Sequence, residues 1–191
     1  MSGDDIGAWM SFDTTPGEDI SVAVAVSFVS IENARENLEK ELAGTVFATG
    51  GAVDAATADE AFDRVKADAR GEWNRLLGRI EVEGGTEEQK RVFYTALYHA
   101  LIHPNVLNDL NGDYPIMESD SVGNIYAGAV TPSDSAAVAN RYTVFSLWDT
   151  YRNLHQLMTL VYPERQEAMV RSMLDIYREH GWLPKWELYG R

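Results

Sequence analysis

Apolar side chains recur every three or four residues in two central segments of the chain, the spacing of one buried helix face. The segments span residues 58–77 and 86–103. Thr86, followed three residues later by Gln89, is typical of a helix start, and Pro104 predicts the end of the second helix. The two apolar stripes comprise Phe62, Val65, Ala69, Trp73, Leu76 and Leu77 in the first segment, and Val92, Phe93, Ala96, Leu97, Ala100 and Leu101 in the second.

Start and stop residues predict three further helices. Ser30 is a suitable N-cap for a helix that runs to about residue 42. A fourth helix is predicted from about residue 146 to residue 161. The fifth begins at Pro163, which suits a first helical turn, and ends near residue 180 before Gly181.

The first 30 residues carry a different pattern. Residues 6–12 are mainly apolar, and residues 20–30 alternate valine with small residues. The turn signal Pro16-Gly17 separates the two segments, so we predict two strands. Two strands alone are marginal in water, and a larger sheet is therefore implied. Residues 44–57 read as a linker, and residues 104–140 as a long ordered loop of a kind that is often functional. The order of elements favours a mixed α and β, mainly helical fold in which a β-domain joins a helical domain.

Composition excludes several classes of protein. The 191 residues carry a formal net charge of −14, which argues against a nucleic-acid partner. There is no cysteine, so disulfides, thiolate metal sites and cysteine nucleophiles are excluded. No apolar run reaches the roughly 18 residues of a membrane span, and the N-terminus lacks the features of a signal peptide.

The densest cluster of candidate site residues is Trp148, Asp149 and Arg152, near the start of the fourth predicted helix. Asp149 suits an early helical position because the helix dipole favours a carboxylate there, and Trp148 suits a core. Those structural roles explain the cluster without any ligand. Polar groups that converge beside an aromatic ring would also suit a binding site.

The second cluster is the segment 181–188, GWLPKWEL. Pro184 prevents a regular helix, so the segment is predicted to be a rigid loop. It carries Lys185, Trp186 and Glu187, with Trp182 just before them. Aromatic stacking combined with charged hydrogen-bonding groups suits sugars, because a pyranose has an apolar face and a polar rim.

Metal binding is a weaker interpretation of two other groups. His99 and His103 are four residues apart on one helix face, but they lack the glutamate of a metalloprotease pattern and are better explained as polar contacts at a helix end. Acidic residues of the long loop do not follow EF-hand spacing, so a solvated acidic loop is the simpler prediction. These residues are Asp109, Asp113, Glu118, Asp120 and Asp134.

Three long segments resemble glycoside hydrolase family 92 in sequence and in order. They are FYTALYHALIHPN at 93–105, YTVFSLWDTYRNLH at 142–155 and GWLPKWEL at 181–188. Two further segments, VSFVSIENARENLEKEL at 26–42 and WNRLLGRIEVEGGTEEQKRVFYTALYH at 73–99, resemble it too. The resemblance covers nearly the whole chain.

The resemblance implies an exo-acting α-mannosidase, most often specific for α-1,2 linkages, inverting and calcium-dependent. The implied fold is an N-terminal β-sandwich, a helical linker and a C-terminal (α/α)6 barrel. Residues 1–30 would then be the last strands of the sandwich, residues 31–80 the linker helices, and residues 81–191 the first part of the barrel. Members of the family are commonly exported.

The resemblance also implies roles for the two clusters. Asp149, Trp186 and Glu187 would contact the terminal mannose, and Trp148, Arg152 and Lys185 would support them. No catalytic residue and no calcium ligand is assigned, because the family motifs that carry the general acid, the general base and the calcium ligands do not occur in these residues. We therefore expect a fragment that binds mannose-containing glycans in part, needs the remainder of a parent barrel, and is inactive and poorly stable alone.

Two alternatives stay open at the level of the sequence. The chain could be a non-catalytic carbohydrate-binding or interaction module. It could also belong to another (α/α)6 hydrolase family, such as trehalase-like or glucoamylase-like enzymes, although the segment matches favour family 92.

Overall fold

Helices form the frame of the computed structural model, which describes residue 7 and residues 9–48, 55–117, 119–125 and 140–187. These ranges contain six α-helices, one short 3-10 helix and four short strands. The helices are α1 (Ile31–Glu41), α2 (Ala55–Leu77), α3 (Glu87–Ala100), α4 (Leu147–Thr150), α5 (Leu154–Val161) and α6 (Pro163–His180), with the 3-10 helix at Val46–Ala48. The strands are β1 (Asn105–Val106), β2 (Asp113–Pro115), β3 (Val122–Asn124) and β4 (Tyr142–Thr143).

Capping residues set the helix limits where the sequence predicts them. The Ser30 side chain accepts from the Asn33 amide at 3.0 Å and starts α1. Thr86 and Gln89 form a reciprocal capping box at the start of α3. Gly181 adopts a left-handed conformation with φ of 81° after α6, a backbone that glycine tolerates without strain.

The fourth predicted helix is interrupted, which corrects the prediction of one continuous helix over residues 146–161. It divides into α4 and α5 around the turn at residues 151–153. Asn153 leaves the helical region with φ of −141°, and the Gln156 side chain donates to the Tyr151 carbonyl at 2.9 Å. The side-chain bond satisfies a carbonyl that the broken helix leaves unpaired.

The long loop contains two small antiparallel pairs, so the prediction of a loop over residues 104–140 is incomplete. Strand β1 pairs with β4, which places Asn105 opposite Thr143. Strand β2 pairs with β3, which places Tyr114 opposite Gly123. The β1–β4 pair brings the end of α3 next to the start of α4 although residues 101–146 separate them in the chain.

Two apolar clusters hold the helices together. One joins α2, α3 and α5, and there the Tyr162 hydroxyl donates to the Leu76 carbonyl at 3.0 Å. The other joins β4 to α6. The buried members are Leu76, Leu97, Leu101, Met158 and Tyr162 in the first cluster, and Tyr142, Phe145, Ala168, Met169 and Ile176 in the second.

The N-terminal region differs from the prediction. Residues 7 and 9–30 contain no strand, so the two predicted strands are wrong for the described residues. Val22, Val24, Val26 and Phe28 are 56% to 79% exposed. A strand requires a neighbouring strand that pairs its N–H and C=O groups in a ladder, and none of the four described strands forms a ladder with residues 9–30.

Candidate functional site

A recess of about 460 Å³ lies where α4 meets the segment that follows α6. We call it the aromatic recess; it is lined by Leu147, Trp148, Pro184, Lys185 and Trp186. Three of the residues singled out in the sequence, Trp148, Lys185 and Trp186, therefore share one concave surface. Concave surfaces with aromatic walls and few polar groups are typical of small-molecule sites.

The loop after α6 builds one wall of the aromatic recess. Gly181 ends the helix, and Pro184 is buried while Lys185 and Trp186 are exposed. A proline has a restricted φ and restricts the residue before it, so the buried Pro184 gives a fixed start to the segment that carries Lys185 and Trp186. The predicted rigid loop is consistent with this geometry.

The two tryptophans of the recess keep large parts of their rings accessible. Trp148 is 69% exposed and Trp186 is 53% exposed. Trp182 is even more exposed, at 80%, but it does not line the recess. Exposed indole faces inside a recess can stack on an apolar face of a ligand.

Glu187 does not line the aromatic recess. Its side chain is 5% exposed and turns toward residues 143–146, which we call the entrance turn because they lead into α4. Oε1 accepts from the Phe145 amide at 3.0 Å, and Oε2 is buried without a hydrogen-bond partner among the described residues.

Burial raises the pKa of the Glu187 carboxyl, since desolvation disfavours the ionised form. The Phe145 amide, other backbone amides and the charge of Arg141 act in the opposite direction without cancelling it. A half-satisfied buried carboxyl is uncommon, because native proteins pair most buried polar atoms.

Asp149 and Arg152 also lie outside the lining of the recess. Asp149 accepts a hydrogen bond from the Ser146 hydroxyl in the first turn of α4. The Arg152 Nε donates to the Tyr151 hydroxyl at 3.2 Å, and its guanidinium carbon lies 5.5 Å from the centre of that ring. Both side chains are exposed, and their predicted contacts with a sugar stay predictions.

A buried polar cluster near α1 was missed by reasoning from the sequence. Asp109 was expected in a solvated acidic loop, and this is wrong because its side chain is 6% exposed. Its Oδ2 accepts from the Ser27 hydroxyl at 2.6 Å and the Asn33 amide at 2.9 Å, and its Oδ1 accepts from the Asn37 amide at 2.8 Å. Asn33 and Asn37 are four residues apart on α1, so one helix face presents both amides.

Asp113 extends the same cluster. It accepts from the side-chain amides of Asn33 at 3.1 Å and Asn124 at 2.6 Å, and these bonds lower the pKa of its carboxyl. We call the set Ser27, Asn33, Asn37, Asp109, Asp113 and Asn124 the aspartate clasp. It ties α1 and Ser27, four residues before the start of α1, to the loop that contains β2 and β3. Glu118 and Asp134, also assigned to the acidic loop, lie outside the described residues.

A second buried network connects the β2–β3 pair to α6. Arg141 pairs with Glu179 at 2.7 Å, and the Tyr114 hydroxyl donates to the other oxygen of Glu179 at 3.1 Å. The Arg141 guanidinium carbon lies 4.6 Å from the centre of the Tyr114 ring. Burial, with the negative charge of Glu179, raises the pKa of Tyr114 to about 12, so the phenol stays protonated and donates.

Comparison with known proteins assigns the chain to a family. Residues 33–191 match the model of the glycosyl hydrolase family 92 catalytic domain. The chain belongs to glycosyl hydrolase family 92. A secreted glycosidase of Arthroderma benhamiae, described as uncharacterized, is 28% identical over 102 residues, which are 52% of this chain and 11% of that protein.

Solved structures of family 92 enzymes share the fold of this chain. An α-mannosidase of Bacteroides thetaiotaomicron is 30% identical with a TM-score of 0.66, over 86% of this chain and 19% of the enzyme. An inverting mannosidase of the same organism is 32% identical with a TM-score of 0.65, over 84% of this chain and 18% of the enzyme. The chain therefore spans about a fifth or less of the length of these relatives.

The described residues contain no site suited to the calcium ion that the sequence resemblance implies. No group of three or more acidic or histidine side chains converges in them in a way that could hold a metal. The carboxylates of the aspartate clasp are occupied by the amide donors of Asn33, Asn37 and Asn124.

Within the ranges described, no helix has the length and apolar character to cross a membrane.

Proposed function

We propose that this family 92 chain forms part of the mannose-binding wall of an exo-acting α-mannosidase. The parent enzyme would remove terminal mannose from α-mannosides, preferentially α-1,2-linked, with inversion. The observation that carries the proposal is the aromatic recess, where Trp148 and Trp186 present exposed ring faces beside Lys185. Support comes from the relatives, which include an inverting mannosidase and an α-mannosidase solved with mannoimidazole.

The chemistry of the recess suits a pyranose. An indole face stacks on the C–H face of a sugar, and an ammonium group donates to its hydroxyl oxygens. Lys185 is exposed, and in the sequence it lies between Pro184, which is buried, and Trp186, which is exposed. We assign the direct contacts to Trp148, Lys185 and Trp186. Asp149 lies in α4 and Arg152 follows that helix, and we include both as further sugar contacts.

The recess does not supply the chemistry of hydrolysis. An inverting glycosidase uses two carboxyl groups about 6.5–9.5 Å apart, one as acid and one as base. None of the five lining residues carries a carboxyl group. We therefore propose no catalytic residue in this chain, and we assign the acid, the base and the calcium ligands to other parts of a parent enzyme.

The proposal includes the family architecture. Helices α3 to α6 would be the first part of an (α/α)6 barrel, α1 and α2 the linker, and residues 1–30 the end of a β-sandwich. Residues 9–30 form no strand by themselves, and the last assignment rests on the exposed valines at positions 22, 24 and 26, which would be buried if a sheet of the parent enzyme paired with this segment. The Arthroderma relative is described as secreted, which supports export of the parent.

Calorimetric titration of the chain with methyl α-mannoside tests the binding proposal. Trp148→Ala and Trp186→Ala should each weaken binding, because each removes one aromatic wall. Trp182→Ala is the matched control, since that tryptophan is exposed outside the recess. Equal binding by all three variants and the unaltered chain, or no binding by the unaltered chain, would contradict the proposal.

Activity is tested separately with α-1,2-linked mannobiose. We expect no mannose release by the 191-residue chain. Release by the purified chain would show that it carries a complete catalytic site, and the fragment proposal would be wrong. Binding without release, together with an active longer parent, is the expected pair of results. Binding without an active parent would favour a non-catalytic carbohydrate-binding module.

A further inference from the structure

Val144 has an unusual backbone conformation. Among the described residues other than glycine, it alone has a positive φ, of 62°. A β-branched side chain is strained in this left-handed region, because its Cβ substituents crowd the backbone. Such a conformation persists only where surrounding contacts enforce it, and it is common next to functional sites.

Contacts on both sides of Val144 hold the entrance turn. Before it, Thr143 pairs with Asn105, and the Tyr142 amide donates to the Ser172 hydroxyl at 2.8 Å. After it, the Phe145 side chain is buried in the core, and the Phe145 amide donates to Glu187 Oε1 at 3.0 Å. Glu187, the acceptor of this last hydrogen bond, belongs to the segment after α6 that forms the opposite wall of the aromatic recess.

The Phe145–Glu187 hydrogen bond therefore joins the two walls. Glu187 directly follows Trp186, and Phe145 precedes Trp148 by three residues. A single side chain thus links the backbone beneath one tryptophan to the turn that leads into the other. Small displacements of either wall would separate two rings that must contact the same ligand.

We propose that Glu187 is a positioning residue whose carboxyl group holds the strained Val144 turn and thereby sets Trp148 and Trp186 on the two sides of the recess. This differs from the role that the family resemblance implies, in which Glu187 contacts the sugar. The ligand class rests on the proposed function, whereas the positioning role rests on the geometry alone.

A double substitution tests the link between Glu187 and Val144. Glu187→Ala removes the acceptor, so exchange of the Phe145 amide proton with solvent should become faster on the order of tenfold, the net contribution of a hydrogen bond. Val144→Gly removes the strain, because glycine adopts positive φ freely. In the Val144→Gly background, Glu187→Ala should shift the indole resonance of Trp148 much less than it does in the unaltered chain.

Glu187→Gln supplies the conservative control. Its amide oxygen can still accept from Phe145, so exchange of that proton and the Trp148 resonance should stay close to those of the unaltered chain. It also keeps the measurement possible if the alanine variant does not fold. The inference is overturned if Glu187→Ala leaves Phe145 exchange unchanged, or if its effect on Trp148 is the same with Val144 and with glycine.

Titration with methyl α-mannoside separates this inference from the proposed function. If the unaltered chain binds, Glu187→Ala should weaken binding and Glu187→Gln should restore most of it. If the unaltered chain does not bind, the proposed function fails, but the exchange and resonance measurements still decide the positioning role. Weak binding by Glu187→Ala with unchanged Phe145 exchange would indicate direct sugar contact instead, and the inference would be wrong.

Discussion

Asp109 and Glu187 are buried to the same extent, at 6% and 5% exposure, but their carboxyl groups differ in the number of hydrogen bonds that they accept. Asp109 accepts from three side chains, which occupy both of its oxygens. Glu187 accepts from the Phe145 amide through one oxygen, and its other oxygen has no partner among the described residues.

The difference distinguishes a buried carboxylate that stabilises the scaffold from a buried carboxyl group that lies next to the candidate site. Burying a carboxylate is costly unless donors replace the lost water. The aspartate clasp supplies those donors and joins α1 to the β2–β3 loop, so its hydrogen bonds stabilise the scaffold. Glu187 receives too few donors to compensate for burial, and it directly follows Trp186 of the aromatic recess. Four predictions test this contrast.

The largest effect is expected for Asp109→Ala. The change removes the acceptor for the Ser27 hydroxyl and for the amides of Asn33 and Asn37. Unfolding by urea should show a loss of about 3–5 kcal/mol, because buried donors are left unpaired. The control is Asp120→Ala, at an exposed position of the same loop, with a change within about 0.5 kcal/mol. Similar losses in both variants would contradict the structural role of the clasp.

The next effect is expected for a third carboxylate, Glu179. Replacing it with alanine leaves the Arg141 guanidinium, 2% exposed, without its ion pair, so unfolding should cost about 3 kcal/mol less than in the unaltered chain. Glu167→Ala is the matched control on the same helix, because its pair with Arg171 is more than half exposed and contributes at most about 1 kcal/mol. Equal effects would show that burial does not distinguish the two pairs.

The most direct comparison uses the amide isosteres. Asp109→Asn places a new donor among the Ser27, Asn33 and Asn37 donors and should destabilise the chain by about 2 kcal/mol. Glu187→Gln keeps an acceptor for Phe145 and removes a poorly solvated charge, so its stability should stay within about 0.5 kcal/mol. Urea unfolding of both variants at one pH checks the difference. A greater loss from Glu187→Gln would invert the comparison.

The smallest effects are pH dependences of opposite sign. The pKa of Glu187 is raised above its ordinary value of 4.5, so the folded state stays protonated to a higher pH than the unfolded state. The contribution of this group to the free energy of unfolding therefore falls as pH rises above that value. The pKa of Asp113 is lowered below 3.8, so its contribution is present above that value and is lost as pH falls through the folded pKa.

Unfolding measured against pH separates the two groups. Relative to Glu187→Gln, the unaltered chain should lose stability from pH 4.5 upward. Relative to Asp113→Asn, it should lose stability only as the solution becomes more acidic than pH 3.8. A flat difference for either pair would show that the folded environment does not perturb that carboxyl group.

Helix limits were accessible from the sequence because the signals that set them are local. Ser30, the Thr86–Gln89 pair and Gly181 each act on backbone groups within a few residues. The loop at residues 181–188 could be predicted for a similar reason, since Pro184 restricts its own backbone and that of the residue before it. Recognition of the family also came from contiguous segments of sequence, and the family match confirmed it.

Features that depend on distant partners were not accessible. Strand prediction at residues 20–30 relied on alternation, but a strand forms only when another segment pairs with it. Asp109 looks like a solvated acidic residue until α1 brings two amides against it from more than 70 residues away. The break between α4 and α5 depends on whether a side chain is placed to satisfy a freed carbonyl.

The aromatic recess shows the same division at the level of the site. The sequence by itself determined which side chains have the chemistry that suits a sugar, because ring faces, ammonium groups and proline-restricted backbone are properties of single residues and their neighbours. Only the tertiary structure decided that Trp148 and Trp186 share one surface while Glu187 turns inward to Phe145. The direction of a side chain depends on which distant backbone amide needs an acceptor, and that requirement exists only after the chain has folded.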